Sequence, residues 1–330
     1  MGSPRSTPRP SISGDTFARR WPWWRRWWYA SKPASWPKLL VPMLLGQALG
    51  AREVSTPSVA ALVGGAVMTV ALLCFIVFAN DAGDVEVDRI KRRMFPRGCS
   101  PKTVPDGVLS RRALVLGGAS AGIAALGLAW GLAVALERPL LPGWMLASLG
   151  LLLAYTAPPL RLNYRGGGEL LEMVGVGAVL PALHAYLQAG HIGGVLPWVL
   201  PGWMCTALAS AVASGLADEV SDRAGGKTTA VTMWGNTVGR RIVEWSVLAS
   251  GVYWAVLATI RPSDFSWWLS ASLVGTAWIS WRRLRRLSVS AQTNAFAEQR
   301  RYKAILHLGI WAVGLLLGMG LWLGLRGGGA

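Results

Sequence analysis

Apolar residues run through this chain in long stretches, and the short segments between them collect most of the charge. Runs near the length that crosses a bilayer, about 17–25 residues, fall at 36–52, 58–80, 113–135, 141–157, 169–189, 195–217, 242–260, 265–281 and 304–325. The pattern predicts an all-α polytopic membrane protein, with nine transmembrane helices around a central cavity. Gly and Pro interrupt several runs, which membrane helices tolerate when neighbours satisfy the freed backbone groups. Residues 1–30 form a separate unit ahead of the helical domain, which spans 31–326. Its first 18 residues, rich in Ser, Pro and Arg, are expected to be disordered. The stretch "RRWPWWRRWWYASKPASW" then mixes Arg with Trp and reads as an interfacial anchor, indoles at headgroup level and guanidinium groups on lipid phosphate.

Charge sets the orientation. With nine spans and a cytoplasmic N-terminus, eight Lys and Arg precede the core of the first span (Arg5 to Lys38) and eight lie between the second and third. Two more lie between the fourth and fifth, four between the sixth and seventh, and seven between the eighth and ninth. Of the 33 basic residues, only Arg52, Arg138, Arg261 and Arg326 fall on the other side. That asymmetry is the positive-inside signature and predicts a multi-pass protein of the cell membrane. A net charge of +17 with 52% hydrophobic residues therefore speaks for loops beside anionic lipid. No basic patch sits in a nucleic-acid-binding module, so nucleic acid is excluded as a partner. Cys74, Cys99 and Cys205 have no metal-type spacing and no framework for disulfides. His184, His191 and His307 are equally scattered, which argues against structural zinc or haem.

Against this basic background two acidic clusters stand out, "NDAGDVEVD" (80–88) after the second apolar run and "DEVSD" (218–222) after the sixth. Both fall at the cytoplasmic ends of their spans. If the second helix continues, Asp81, Asp84 and Asp88 share one face at i, i+3 and i+7, and Asp218 and Asp222 share another at i and i+4. Carboxylates gathered on one stripe repel each other and call for a cation. Mg²⁺ suits them, because it takes carboxylate and water ligands and completes its shell with substrate phosphate. Asn80 can add an amide oxygen. Lys91, Arg92, Arg93, Arg97, Lys102, Arg161, Arg165, Arg223 and Lys227 interleave with the acids, as suits a diphosphate held by metal on one side and Arg/Lys on the other. A cation channel or transporter would not need them.

Ionisable residues inside spans are functional candidates by default. Glu169 and Glu172 open the fifth span, where Glu172 can act as a base, touch substrate or pair with Arg165. Glu244, beside Arg240 and Arg241, reads as a local ion pair.

The two motifs resemble the NDxxDxxxD and DxxxD signatures of the UbiA superfamily of intramembrane prenyltransferases, and the likeness extends over roughly residues 30–325. "YTAPPLRLNYRGGGELLEMVGVGAVLPALHAYLQAG", "RGCSPKTVPDGVLSRRALV" and "DRAGGKTTAVTMWG" are similar to the dihydroxynaphthoate prenyltransferase (MenA) branch. The resemblance implies Mg²⁺, as two ions, at Asn80, Asp81, Asp84, Asp88, Asp218 and Asp222. It makes Lys91, Arg165, Arg223 and Lys227 diphosphate-side residues. The partners implied are an isoprenoid diphosphate and an aromatic acceptor within the bilayer. The leaving diphosphate is neutralised, the allylic C–O bond ionises, and an electron-rich ring attacks the cation, a naphthoate losing its carboxylate. Asp81, Asp84, Asp218 and Asp222 then act catalytically. Tyr155, Tyr164 and Tyr186 are placed to offer aromatic faces to the cation, and Glu169 or Glu172 to deprotonate the acceptor. Ala82 and Gly83 replace bulky aromatics of the family, and Thr228 and Thr232 replace basic residues. These departures leave open a different pocket wall, and with it a terpene cyclase or transfer to a non-aromatic acceptor.

Overall fold

The computed structural model describes residues 21–96 and 100–327; within them the regular elements are all helical. The expected disordered segment 1–18, and Arg97 and Cys99 with it, lie outside the described residues. The helices are α1 (Trp23–Ala30), α2 (Pro37–Ala51), α3 (Val59–Gly83), α4 (Val85–Met94), α5 (Arg111–Ala135) and α6 (Leu141–Thr156). After them come α7 (Gly168–Ala189), α8 (Leu196–Gly215), α9 (Glu219–Ala224), α10 (Ala230–Ile260), α11 (Trp267–Ser288) and α12 (Phe296–Gly327).

Local chemistry starts these helices. Ser58 and Ser110 accept hydrogen bonds from the Ala61 and Ala113 amides, each at 3.1 Å, and cap α3 and α5. Pro near the first position opens α2, α6 and α8, where a missing N–H costs nothing. Thr229 and Thr232 form a reciprocal capping box at the head of α10. Thr232, a departure from a basic family position, thus serves as a cap.

Six helices are long and apolar enough to cross a membrane: α3, α5, α7, α8, α10 and the Phe296–Leu321 part of α12. Of the other predicted spans, α2 and α6 are shorter, and α11 carries Arg282, Arg283, Arg285 and Arg286 in its last turns. The outward face matches the lipid phase: Leu116, Ile123 and Val134 of α5 are 69%, 73% and 72% exposed. The chain is an integral membrane protein.

The long helices follow one another around a ring. α3 packs on α5, α5 on α6, α6 on α7 and α7 on α8; then α8 packs on α10, α10 on α11, α11 on α12, and α12 returns to α2. The far half of α7 crosses the interior to pack along α2. That crossing depends on two glycines. A Cβ at Gly46 would clash with the Pro181 carbonyl oxygen, and one at Gly50 with that of Ala185. Backbone therefore meets backbone, as at small-residue contacts of membrane helices. The bundle is sealed at this end and hollow at the other, where α4, α9 and the loops gather.

The seal makes a direct prediction. Gly46→Val should force α2 from α7 and destabilise the protein by about 1–3 kcal/mol or more. Thermal unfolding of the protein in detergent should show a lower midpoint, while the same change at Gly127, where an added Cβ meets nothing, should leave it in place.

Candidate active site

At the open end the ring encloses a cavity of about 440 Å³. Its deeper wall is aliphatic, with Leu39, Leu72, Leu73, Ile76, Leu151 and Leu180, and its mouth is charged. Asn80, Asp81, Asp84, Asp88, Asp218 and Asp222 all line it, together with Tyr155, Glu172, Lys91 and Lys227. The two acidic motifs, far apart in sequence, face one space.

The expected continuous stripe is broken, however. α3 ends at Gly83, Asp84 leaves helical geometry (φ −97°, ψ 10°), and α4 starts at Val85. The break turns the chain so that all three aspartates still reach the cavity. In the second motif Asp218 precedes α9 and Asp222 lies within it.

Each aspartate of the first motif meets a lysine from a different element. Lys32 Nζ lies 2.5 Å from Asp81 Oδ1, and Thr103 Oγ1 donates to the other Asp81 oxygen at 2.7 Å. Lys227 pairs with Asp84 at 2.7 Å, and Lys102 with Asp88 at 2.5 Å. Lys91 pairs with Asp218 and also donates to the Ala217 carbonyl at 2.8 Å. Carboxylates so far out of water need such partners. Burial still outweighs attraction at two of them: it raises the Asp88 carboxyl against the pull of Lys102, and pushes Asp222 up to about 6. At Lys227 burial opposes the charge, but Asp84 and Asp222 prevail and its pKa rises.

Tyr164 stands behind Asp84. Its hydroxyl donates to Asp84 at 3.0 Å, and its ring carries the Arg161 guanidinium at 3.6 Å and Lys227 at 5.2 Å from the centroid. Burial, then the Asp84 charge, raises its pKa. The face of Tyr164 is thus occupied by side-chain cations. Tyr186 lies away from the mouth, its hydroxyl accepting from the Leu140 amide at 3.0 Å. Of the three tyrosines, Tyr155 alone lines the cavity.

Other candidates take different places. Arg165 is exposed, and the Arg223 side chain is 60% exposed, pairing with Glu219 at 3.3 Å and donating to the Thr232 carbonyl; neither lines the cavity. Glu172 pairs with Lys38, not Arg165. Glu169 lines the cavity while accepting from the Ala230 amide at 2.8 Å, so it anchors the head of α10. Glu244 pairs with Arg285 at 3.3 Å and accepts from Tyr302; Arg240 turns instead to Asn236, Ser288 and the Ala291 carbonyl. Cys74 and Cys205 are free thiols.

Ala82 and Gly83 do not line the cavity. Ala82 packs with Ala30, Phe78 and Leu114, and a Cβ on Gly83 would come within 2.6 Å of Thr156 Oγ1. Their smallness serves helix packing. Thr228 joins the α6–α7 loop through its backbone, accepting from the Gly166 amide at 2.9 Å.

Four lining residues carry no signal beyond general basicity or polarity in the sequence: Lys32, Lys38, Lys303 and Asn163. Lys32 adopts a left-handed backbone (φ 48°), unusual for a lysine. Asn163 is 2% exposed, and neither atom of its amide has a hydrogen-bond partner.

The donor set suits a hard divalent ion. Asn80 Oδ1 is buried without a hydrogen-bond partner beside the aspartates. Among the described residues, no three His, Cys, Asp or Glu converge closely enough to hold an ion alone. A carboxylate–amide set of this kind matches Mg²⁺ sites that substrate phosphate completes.

Fold and site together define an integral-membrane enzyme with an acid–lysine chamber opening on an apolar cleft. The chain belongs to the UbiA prenyltransferase family, whose profile matches residues 39–303; it is a prenyltransferase. A comparison with curated proteins finds no match. A UbiA homologue from Archaeoglobus fulgidus, solved with DMAPP and Mg²⁺, superposes with a TM-score of 0.66 at 14% identity, covering 90% of this chain and 99% of its own. A UbiA homologue from Aeropyrum pernix K1 gives 0.60 at 16% identity, over 87% and 96%. A digeranylgeranylglyceryl phosphate synthase structure gives 0.60 at 10% identity, over 91% and 99%. These likenesses extend the shared fold to almost the whole of each chain.

The buried pairs can be tested apart from catalysis. Lys102→Met should destabilise the protein by about 1–3 kcal/mol, because Asp88 loses its partner and must take up a proton. Its folded-state pKa, already raised, then rises further. The deficit should therefore be small in acid, below the unfolded pKa, and grow as pH rises through the folded one. Thermal unfolding across pH reads this, and adding Asp88→Asn should remove the pH-dependent part.

Proposed function

We propose that this chain is a Mg²⁺-dependent intramembrane prenyltransferase. It ionises an allylic (poly)prenyl diphosphate and passes the prenyl group to an aromatic acceptor, with a naphthoate of quinone biosynthesis as the acceptor class. One observation carries the reading: a paired array of carboxylates and lysines at the mouth of an aliphatic cavity within a membrane bundle. A diphosphate with its cations brings the same charges, so the lysines can turn to phosphate oxygens as the carboxylates turn to metal.

In this reading Asn80, Asp81, Asp84 and Asp88 hold one ion, and Asp218 and Asp222 a second. Bound Mg²⁺ supplies charge neutralisation for the departing diphosphate. Lys91 and Lys227, with Lys32 and Lys102, orient the diphosphate and stabilise its developing charge. Tyr155 presents its ring to the allylic cation. Glu172, tied to Lys38, is the base candidate for the acceptor hydroxyl. The naphthoate assignment is supported by the likeness of residues 155–190 and 222–235 to the dihydroxynaphthoate branch.

The topology belongs to the same proposal. Nine spans, counting α2, α6 and α11, put the N-terminus and the charged mouth on the cytoplasmic side of the cell membrane. Residues 31–326 form the enzyme, and 1–30 its interfacial lead-in. The basic loops that set this orientation surround the site that needs them.

Purified protein with Mg²⁺, an allylic diphosphate and dihydroxynaphthoate or hydroxybenzoate should form a prenylated ring, and EDTA should abolish it. The Asp81→Ala/Asp218→Ala variant should lose roughly a hundredfold or more in kcat. A cyclic hydrocarbon or alcohol released without any acceptor would replace the transfer reading with a cyclase.

A further inference from the structure

Six lysines line the cavity, and five of them have a carboxylate partner. Lys32, Lys91, Lys102 and Lys227 pair with aspartates of the mouth, and Lys38 pairs with Glu172. Lys303 is the sixth. Among the described residues it makes no hydrogen bond and no ion pair. The charges that act on its ammonium are Lys38, Glu172 and Lys102, two cations and a carboxylate already taken. An ammonium without a counter-ion is costly inside a membrane bundle, and such a group marks a functional site by default.

Its surroundings are not those of a lysine reaching for water. Arg300 and Arg301, just before it on α12, are exposed, and Arg301 pairs with Glu298 at 3.0 Å. Lys303 lines the cavity instead. Its neighbour Lys38 is held twice, by Glu172 and by the Ser214 hydroxyl at 3.3 Å. Ser214 in turn donates to the Ser210 carbonyl at 3.0 Å. Glu172 is thus committed to Lys38, and Lys303 meets the cavity with its charge unmatched. Glu172 is also the foremost charge acting on the Tyr155 hydroxyl, with Lys227 and Asp84 after it. Tyr155 therefore stands within reach of both the Lys303 wall and the aspartate mouth.

The mouth already offers four lysines to a diphosphate, which leaves Lys303 for a second anion. On the reading that a prenyl group passes to an aromatic ring, we infer that Lys303 anchors an acid group of the acceptor and selects aromatic acids over their uncarboxylated counterparts. A carboxylate is the fitting group, since it forms strong charge-assisted hydrogen bonds with an ammonium. Held there by its acid group, the ring lies beside Glu172, the base candidate for its hydroxyl, and near Tyr155. A ring without the acid leaves the ammonium bare. A site built around a buried polar group discriminates against a ligand that cannot satisfy it.

Dihydroxynaphthoate and dihydroxynaphthalene, which differ by one carboxylate, test the assignment with Mg²⁺ and an allylic diphosphate, as do hydroxybenzoate and phenol. The wild-type protein should favour the acid of a pair in kcat/KM. Lys303→Met should cut that preference roughly tenfold or more, and Lys303→Arg should keep most of it. Lys303→Met should also hold its thermal midpoint, because it strands no carboxylate, unlike Lys102→Met. A fall like that of Lys102→Met would mean that Lys303 serves an acid of the protein itself, and would overturn the assignment. So would an unchanged preference in the folded variant, or a loss confined to a higher KM for the allylic diphosphate with either acceptor. A wild-type protein indifferent to the carboxylate would overturn it without any variant having to fold. Turnover of none of the four acceptors would instead overturn the aromatic-transfer reading itself.

Discussion

The constraint on which the structure turns is the cost of holding carboxylates out of water inside a membrane bundle. Asp81, Asp84 and Asp88 are each at most 6% exposed, and a carboxylate so buried is costly unless a cation stands beside it. The cations come from separate places: Lys32 from the α1–α2 link, Lys102 from the loop before α5, and Lys227 from the loop before α10. Each pair therefore closes one connection over the cavity mouth. Asp106 extends the network, accepting from Tyr29 at 2.7 Å, pairing with Arg92 at 2.7 Å and accepting from the Lys102 amide at 2.9 Å. Helix α1 is held against this end of α3 by these contacts and by the edge-on packing of Trp27 against Phe78. A segment whose sequence suggests anchoring alone also delivers a lysine to the site.

The helices meet this demand by departing from regularity at chosen points. α3 breaks at Asp84, so that one aspartate lies before the bend and another beyond it. α7 carries a π-helical turn at Gly175–Val179, beginning three residues after Glu172. Such a turn shifts the register of the helix beyond it, and it recurs at functional sites in other helices. Here it separates the charged head of α7, at Glu169 and Glu172, from the stretch that packs on α2. The wide mouth and the sealed base are thus built partly from the same helix, with the register change between them.

The two aspartate motifs were legible in the sequence because each follows an apolar run that sets its depth, although the break at Asp84, not a continuous helical stripe, aims the first three aspartates at the cavity. Their partners were less so. Lys32 looked like one more contributor to the positive-inside bias, and nothing in linear spacing ties it to Asp81, 49 residues away. Arg223 misled for the opposite reason: it follows Asp222 directly, but neighbours in sequence on a helix point about 100° apart, and its side chain leaves the cavity. Glu244 paired across to α11 instead of along its own helix, since Arg240 was claimed by Asn236 and the Ala291 carbonyl. Ala82 and Gly83 looked like a changed substrate wall; their small size proved to be a packing requirement, set by α6 and α1 through tertiary contacts that no local pattern reveals.

That last point bears on how the site distinguishes its substrates. If Ala82 and Gly83 face away from the cavity, the acceptor must be recognised elsewhere. The wall where α2, α7, α8 and α12 meet is the part of the lining not committed to the aspartates. Lys38 pairs there with Glu172 and reaches Ser214 at 3.3 Å, and Lys303 lines the same space. The cavity thus has an acid–lysine mouth, an aliphatic wall below it and a second charged wall to one side. The mouth offers nothing that would tell one prenyl diphosphate from another, since every such substrate presents the same headgroup. Residues beyond the mouth, on the aliphatic wall and the side wall, are where substrates that share this headgroup meet different surfaces. A change in either substrate range therefore does not require a change in the aspartates.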